Sequence, residues 1–557
     1  MQARLRLGLV HLGFVVLVID AFGASERFTA RLRLSMAPSD HALAVRATLL
    51  GMQVYDNRRA VDYLCTRPEV DPRRLGVTGA SGGGNQSMYA GAMDDRFQAV
   101  VPVCSVGNYQ AYLRAACCVC EVLPGALRFT EEGDVLGLVA PRALMVINAT
   151  RDGFQFSVEQ AKRSMERAQA VFALHKESDK VRHVTFESPH AYNQPMREAM
   201  YGWMTRWLKN EGKGDPIPEP KHAIEKPEDL ACFPDGKRPE RFLLLPAFAE
   251  RAGRELVERA SKTLPDHVED WDSTAVAKRR QLERQVFGRF PATPEPRATL
   301  EKPSTAGHVR STPLVLTPER DMPVPAVVQE HTAKKGRQPA CVLLHLGGKD
   351  QTLKHPLAAA FLERHWLLLA PDLRATGSTA PASDAIAGAP DHNSAEHGLW
   401  IGRPLLGQWV FDVACLVDWL AVQKTVDNRH ISVVGIGDAG LVALCAAAAL
   451  DDRIASAAAV GTLATYLTPT AYPAGTHMGV LAPGILNVGD VPQIAALSAP
   501  RRVVIAGPLG HEGKPLAEKR MREAFAFARA IYALHKMEGR LTLLETPREK
   551  EIIAGLG

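Results

Sequence analysis

The chain has little cysteine, little net charge and no long apolar run, and each shortage removes a class of protein. Nine cysteines in 557 residues are too few for a disulfide scaffold. Three of them crowd at Cys117, Cys118 and Cys120. No second ligand group stands at a suitable spacing, so they read as buried or pocket-lining thiols rather than a metal site, and they leave the redox compartment open. The 66 Lys and Arg nearly balance the 61 Asp and Glu, for a net charge of +5. So mild an excess gives no reason to expect a nucleic-acid partner. No apolar stretch reaches the roughly 18 uninterrupted residues of a membrane span. What is left is an ordinary globular composition, 46% hydrophobic and 23% charged. At roughly 150 residues per domain, length alone suggests about four domains.

The first 25 residues imitate a signal peptide, with a basic start, an apolar run and Ala21-Phe22-Gly23-Ala24. Asp20 interrupts that pattern, and Leu362 to Asp372 repeats the same layout in mid-chain. Both stretches read as the end of a helix followed by a buried strand, Phe14–Ile19 in the first case. The compartment is left undecided.

The echo continues. Gly51 to Gly84 can be laid on Gly407 to Gly440 without a gap, pairing Asp56 with Asp412, Asp62 with Asp418, Asp71 with Asp427 and Gly79 with Gly435. Further on, Ala140-Pro141-Arg142 matches Ala499-Pro500-Arg501, and Ala173-Leu174-His175-Lys176 recurs as Ala533-Leu534-His535-Lys536. A period this long indicates a duplicated domain, not a solenoid. Each copy alternates strands with amphipathic helices, so the fold class is α/β with mainly parallel sheets covered on both faces. In the first copy the strands are Phe14–Ile19, Leu75–Thr78, Ala99–Cys104, Ala143–Asn148 and Val181–Phe186. The expected division is a first domain at 1–212, a Pro-rich and charged linker at 213–240, and a second domain at 241–557 that opens with helices over Ala247–Val286. The second copy is expected to lack a counterpart of the final helix at Met196–Leu208.

Chemistry concentrates in the first copy. The strand Leu75–Thr78 runs into Gly79-Ala80-Ser81-Gly82-Gly83-Gly84 before a helix. That is the G-x-S-x-G nucleophile elbow, in which glycines two before and two after the serine relieve a tight turn. Ser81 is the candidate nucleophile, and the Gly82 N–H is the candidate oxyanion donor. A serine needs a base, and the base needs an orienting acid. Asp152 follows the strand Ala143–Asn148, and His190 follows Val181–Phe186, giving the chain order Ser, Asp, His. The second copy is an internal control. Ser81 lies opposite Gly437, Asp152 opposite or near His511, and His190 opposite Arg548. The features both copies keep, such as His175, Asp94, Asp95 and Glu187, read as scaffold. Gly435-Ile436-Gly437-Asp438-Ala439-Gly440 imitates a dinucleotide fingerprint, but the next strand ends in Gly461-Thr462 without the acid that motif needs.

Taken together, Asp20 to Arg27, Tyr55 to Leu64, the Ser81 elbow and Ala140-Pro141-Arg142 resemble an α/β-hydrolase of the acetyl xylan esterase-like type. The resemblance covers residues 1 to about 210 well and about 300 to 547 as a diverged, degenerate copy. It extends to the prolyl oligopeptidase group, without the β-propeller of those peptidases. It implies hydrolysis of carboxylic esters, including acetyl groups on carbohydrate, through an acyl-serine with no metal or organic cofactor. It also implies that His345-Leu346-Gly347-Gly348 is the segment that supplies a second oxyanion donor in this fold. The first copy has no counterpart of that strand, so the chain is expected to be an N-terminally incomplete version of a longer esterase. A peptidase with the same triad, and a catalytically silent scaffold that keeps the triad as a relic, are the alternatives.

Overall fold

A computed structural model describes the whole chain except residues 1, 23–24, 28–47, 116–120, 222, 262–263, 291–296, 335, 387 and 451. Cys117, Cys118 and Cys120 therefore lie outside the described residues. The chain divides into two compact units, the first holding most of residues 1–244 and the second most of 245–557, with residues 399–402 grouped with the first.

The first unit is built on four parallel strands in sequence order: β1 (Leu75–Ala80), β2 (Phe97–Val103), β3 (Ala143–Arg151) and β4 (Val181–Pro189). Side chains of β2 and β3 are buried on both faces, which explains their near-continuous apolar sequence. Helices α1 (Gln2–His11), α2 (Leu49–Cys65), α3 (Gly82–Met93), α4 (Val158–Leu174) and α5 (Gln194–Met204) belong to the same unit. The core joins Val101, Val103, Met145 and Ile147 of the sheet to Met196, Met200, Trp203 and Met204 of α5. Residues beyond the helix stay tied to it. Ile217 N–H donates to the Glu198 carbonyl at 3.0 Å, and Arg197 and Glu219, both nearly fully buried, form an ion pair.

One expected strand is not formed. Phe14–Ile19 has no regular secondary structure and pairs with no strand, so β1 is an edge among the described residues. Phe14 and Val16 pack on the core, whereas Val15, Leu17, Val18 and Ile19 are 38–52% exposed. A strand is a pairing, and apolar composition cannot supply the missing neighbour.

The second unit shows what such a neighbour does. Its strands are β5 (Arg297–Leu300), β6 (Ser304–Ala306), β7 (Val309–Glu319), β8 (Met322–His331), β9 (Gln338–His345), β10 (Leu367–Pro371), β11 (Val426–Ile436), β12 (Ser456–Val460), β13 (Arg502–Ala506) and β14 (Leu541–Leu544). The sheet order is β14-β13-β12-β11-β9-β10-β8-β7-β5, with β6 on β7 and the antiparallel strands confined to β5–β8. β9 sits between β11 and β10, and there Leu367–Leu369 is a fully paired strand. The final helix is present after all: α6 (Glu549–Leu556) follows β14 and buries Ile552, Ile553 and Leu556. Its two glutamates in the first turn suit the helix N-terminus.

The two units repeat small constructions. Arg96 pairs with Asp62 as Arg453 pairs with Asp418. Arg142 donates to the carbonyls of Gly91, Asp94 and Phe97, and Arg501 donates to those of Ala447 and Ile454.

Candidate active site

β1 feeds directly into the elbow, and α3 begins at Gly82. Ser81 sits at φ 58° and ψ −126°, a region that a residue with a side chain enters only when its surroundings force it. Its N–H donates to Val103 O at 3.0 Å, and its carbonyl accepts from Gly84 and Asn85 at 2.8 and 3.0 Å. The glycine requirement differs from expectation. A Cβ on Gly79 would lie 2.4 Å from Gly83 O, and one on Gly84 would lie 2.2 Å from Ser105 Oγ, whereas one on Gly83 meets nothing within 4 Å. Gly83 contributes the backbone that crowds Gly79, and the positions that cannot carry a side chain are Gly79 and Gly84. The Gly82 N–H heads the helix and has no acceptor among the described residues. It is therefore available to an anion.

Asp152 and His190 come from the ends of the adjacent strands β3 and β4. Both Asp152 oxygens lie 2.8 and 2.9 Å from His190 Nδ1, and one of them accepts from Gly153 N–H at 2.7 Å. The carboxylate is 2% exposed, the imidazole 42%. An acid at Nδ1 keeps the proton there and leaves the Nε2 lone pair facing outward. The ring stacks on Phe156, centroids 6.0 Å apart. No hydrogen bond joins Ser81 Oγ to His190 among the described residues. Serine–histidine bonds are commonly long before substrate binds.

Four supporting residues escaped the sequence reading. Asn148 is buried in the apolar strand β3. Its amide donates to the carbonyls of Val106 and Phe156, both at 3.0 Å, and its oxygen bonds His183 Nε2 at 3.0 Å. It thus ties the loop after β2 to the loop that carries Asp152. Burial holds His183 down to a pKa of about 4, so at neutral pH it is a neutral donor to Asn148. Glu132, wholly buried and held well above the usual carboxylate range by that burial, accepts from Gly107 N–H at 3.1 Å. Cys104 ends β2 at φ 49°, a conformation that costs a non-glycine residue about 1–3 kcal/mol. Its thiol donates to Ala191 O at 3.2 Å, and burial pushes its pKa up to about 11. The signals were faint. Asn148 is one polar residue in an apolar run, and Cys104 matches a glycine, Gly461, in the second unit.

The second unit makes the same turn with different chemistry. Gly437, at φ 61°, donates to Val460 O at 2.8 Å as Ser81 does to Val103. Asp438 Oδ2 accepts both the N–H of His477 at 2.8 Å and its Nδ1 at 2.9 Å. Burial works against the His477 charge, but the Asp438 bond and nearby Asp391 outweigh it and raise the pKa. Arg548 caps α6 where the first unit has His190.

The model of the prolyl oligopeptidase family (Peptidase_S9) matches residues 4–117, a stretch that contains the Ser81 elbow. The Bacillus subtilis (strain 168) protein YtaP, described as a hydrolase, is 26% identical over 204 residues, spanning 36% of this chain and 67% of that protein. Among solved structures, a Bacteroides fragilis protein described as an acetyl xylan esterase aligns with TM-score 0.44 and 15% identity, covering 55% of this chain and 84% of its own. A family 15 glucuronoyl esterase from Teredinibacter turnerae aligns with TM-score 0.40 and 16% identity, over 54% and 87%. With the parallel order β1-β2-β3-β4 and a strand–turn–helix elbow inside the matched stretch, the first unit is an α/β hydrolase in fold.

Proposed function

We propose that the chain is a serine hydrolase of carboxylic esters. The observation that carries this is the Asp152–His190 hydrogen-bond pair at the ends of neighbouring strands, in the same unit as a strained serine at the elbow of β1. Ser81 Oγ attacks the ester carbonyl carbon while His190 Nε2 takes the hydroxyl proton. Asp152 holds the Nδ1 proton and stabilises the imidazolium. The Gly82 N–H donates to the oxyanion of the tetrahedral intermediate. The alcohol leaves with the proton from Nε2, and water then repeats the sequence on the acyl-serine. The sequence resemblance favours acetyl esters of carbohydrate as substrates. The prolyl oligopeptidase match favours a second reading, peptide bonds, which the same residues would cleave.

The second unit, in this reading, is a duplicated hydrolase domain without a nucleophile, with Gly437 where a serine would stand. The repeated Arg96–Asp62 and Arg453–Asp418 pairs and the twin elbows support it. The division at 1–212, 213–240 and 241–557 belongs to the same proposal.

A fluorophosphonate probe tests the assignment. Stoichiometric labelling at Ser81 in the folded chain is expected, and none in Ser81→Ala. Failure to label the folded wild type would leave the silent-scaffold reading in its place. Comparing acetylated oligosaccharides with proline-containing peptides as substrates separates esterase from peptidase.

A further inference from the structure

We propose that Cys104, Asp152 and His190 form a site for a borderline-soft divalent cation of the zinc class, and that its occupation switches the hydrolase off. The inhibitory half rests on the function proposed above; the binding half does not. The thiol sulfur, a carboxylate oxygen and a ring nitrogen of these three residues all lie within 4.8 Å of one another. Zinc bonds of about 2.0–2.3 Å in a tetrahedron put such atoms roughly 3.3–3.7 Å apart, so the widest separation closes by up to about one ångström while Nδ1 and the Asp152 oxygens, now 2.8 and 2.9 Å apart, open slightly. Three ligands from three side chains leave a fourth position for water. Thiolate, imidazole and carboxylate together favour zinc or cobalt over magnesium or calcium.

The placement of Cys104 is the second strand of the argument. Its N–H donates to Ile147 O at 2.8 Å, as Gly461 N–H donates to Ala506 O at 2.8 Å after the matching strand of the second unit. Gly461 takes φ 64° freely; Cys104 is held at φ 49°. The turn needs no side chain, yet in the unit that carries Asp152 and His190 it presents a sulfur to both. The exposed imidazole provides the entrance.

Binding is chemically balanced. The Cys104 thiol proton leaves to solvent, the single His190 ring proton moves from Nδ1 to Nε2, and the cation takes the thiolate and the freed Nδ1 lone pair. Nδ1 then coordinates the cation instead of donating to Asp152. Nε2 then carries the ring proton and has no lone pair to take the Ser81 hydroxyl proton, and Asp152 is no longer free to stabilise an imidazolium.

The full chain is titrated with Co²⁺, whose thiolate complex absorbs in the near ultraviolet. One equivalent is expected to produce that band in the wild type, and zinc to remove it. Cys104→Ser and Cys104→Gly, the latter carrying the residue the second unit uses, are expected to lack it. Labelling of Ser81 by the fluorophosphonate is expected to slow about 100-fold with zinc in the wild type, the scale of losing a general base. In both variants the ratio with and without zinc is expected to stay near one. A band that persists in both variants, or equal zinc inhibition in them, overturns the site. Absence of Ser81 labelling without metal overturns the hydrolase instead, and the cobalt band still reports on the site.

Discussion

At the scale of single residues, the proposed chemistry separates groups that react from groups that hold. Asp152 belongs to the second kind, because it meets the imidazole of His190 at Nδ1, the nitrogen away from the proposed proton transfer. Asp152→Asn keeps the shape but turns the imidazole toward the wrong tautomer. Ester turnover is therefore expected to fall about 10⁴-fold with the unfolding midpoint unchanged, measured by steady-state kinetics and urea melts. His183 gives a pH prediction. Its folded-state pKa of about 4 lies below the ordinary 6.5 because it is buried. The unfolded chain therefore takes up a proton first as pH falls, so the stability present above pH 6.5 is lost between 6.5 and about 4. The full loss is about 3 kcal/mol. Urea titrations at pH 7 and pH 4.5 should show that decline, and His183→Gln should flatten it. The positions of Ser81, Asp152 and His190 at the ends of β1, β3 and β4 were legible in the sequence because punctuating residues follow each strand. Cys104 and Asn148 were not. Their partners, Ala191 and Val106, lie far away along the chain and meet them only across the sheet.

At the scale of elements, the elbow makes a paired prediction. Gly84→Ala drives a methyl group against Ser105 and Val103, whereas Gly83→Ala points one into open space. The first is expected to cost about 1–3 kcal/mol. The second is expected to be neutral or to gain up to about 1 kcal/mol from helix propensity. Thermal melts of the two variants side by side check the contrast. The Arg197–Glu219 pair makes another. Both side chains are about 5% exposed, and Arg197 also donates to the Tyr192 carbonyl at 2.7 Å. Glu219→Ala strands a buried guanidinium and is expected to cost about 3–5 kcal/mol, read from the same melts. Alternation of apolar runs with helical periodicity gave β1 to β4 close to their observed bounds. It failed for Phe14–Ile19, whose sequence has every property of a strand except a partner. It failed again for α6, which eight residues at the end of the chain build from Ile552, Ile553 and Leu556.

At the scale of the whole molecule, β1 has one unpaired edge among the described residues, and the apolar segment Phe14–Ile19 is partly exposed. Such an edge is a template for another strand. Concentration-dependent self-association is expected in sedimentation velocity, and Val15→Lys with Leu17→Lys should suppress it; a monomer at all concentrations would contradict this. The sequence echo between the two copies has a local counterpart in the structure: Asp62 and Asp418 each pair with an arginine. The proposed duplication gives the molecule an internal reference state. One polypeptide makes the same turn twice, once with Cys104 and once with Gly461, under matched hydrogen bonds. Exchanging the two residues, singly and together, closes a thermodynamic square inside one chain. Because the two turns share their backbone bonds, the part of the square that fails to cancel measures what the surroundings of Asp152 and His190 return to a side chain held against its backbone preference.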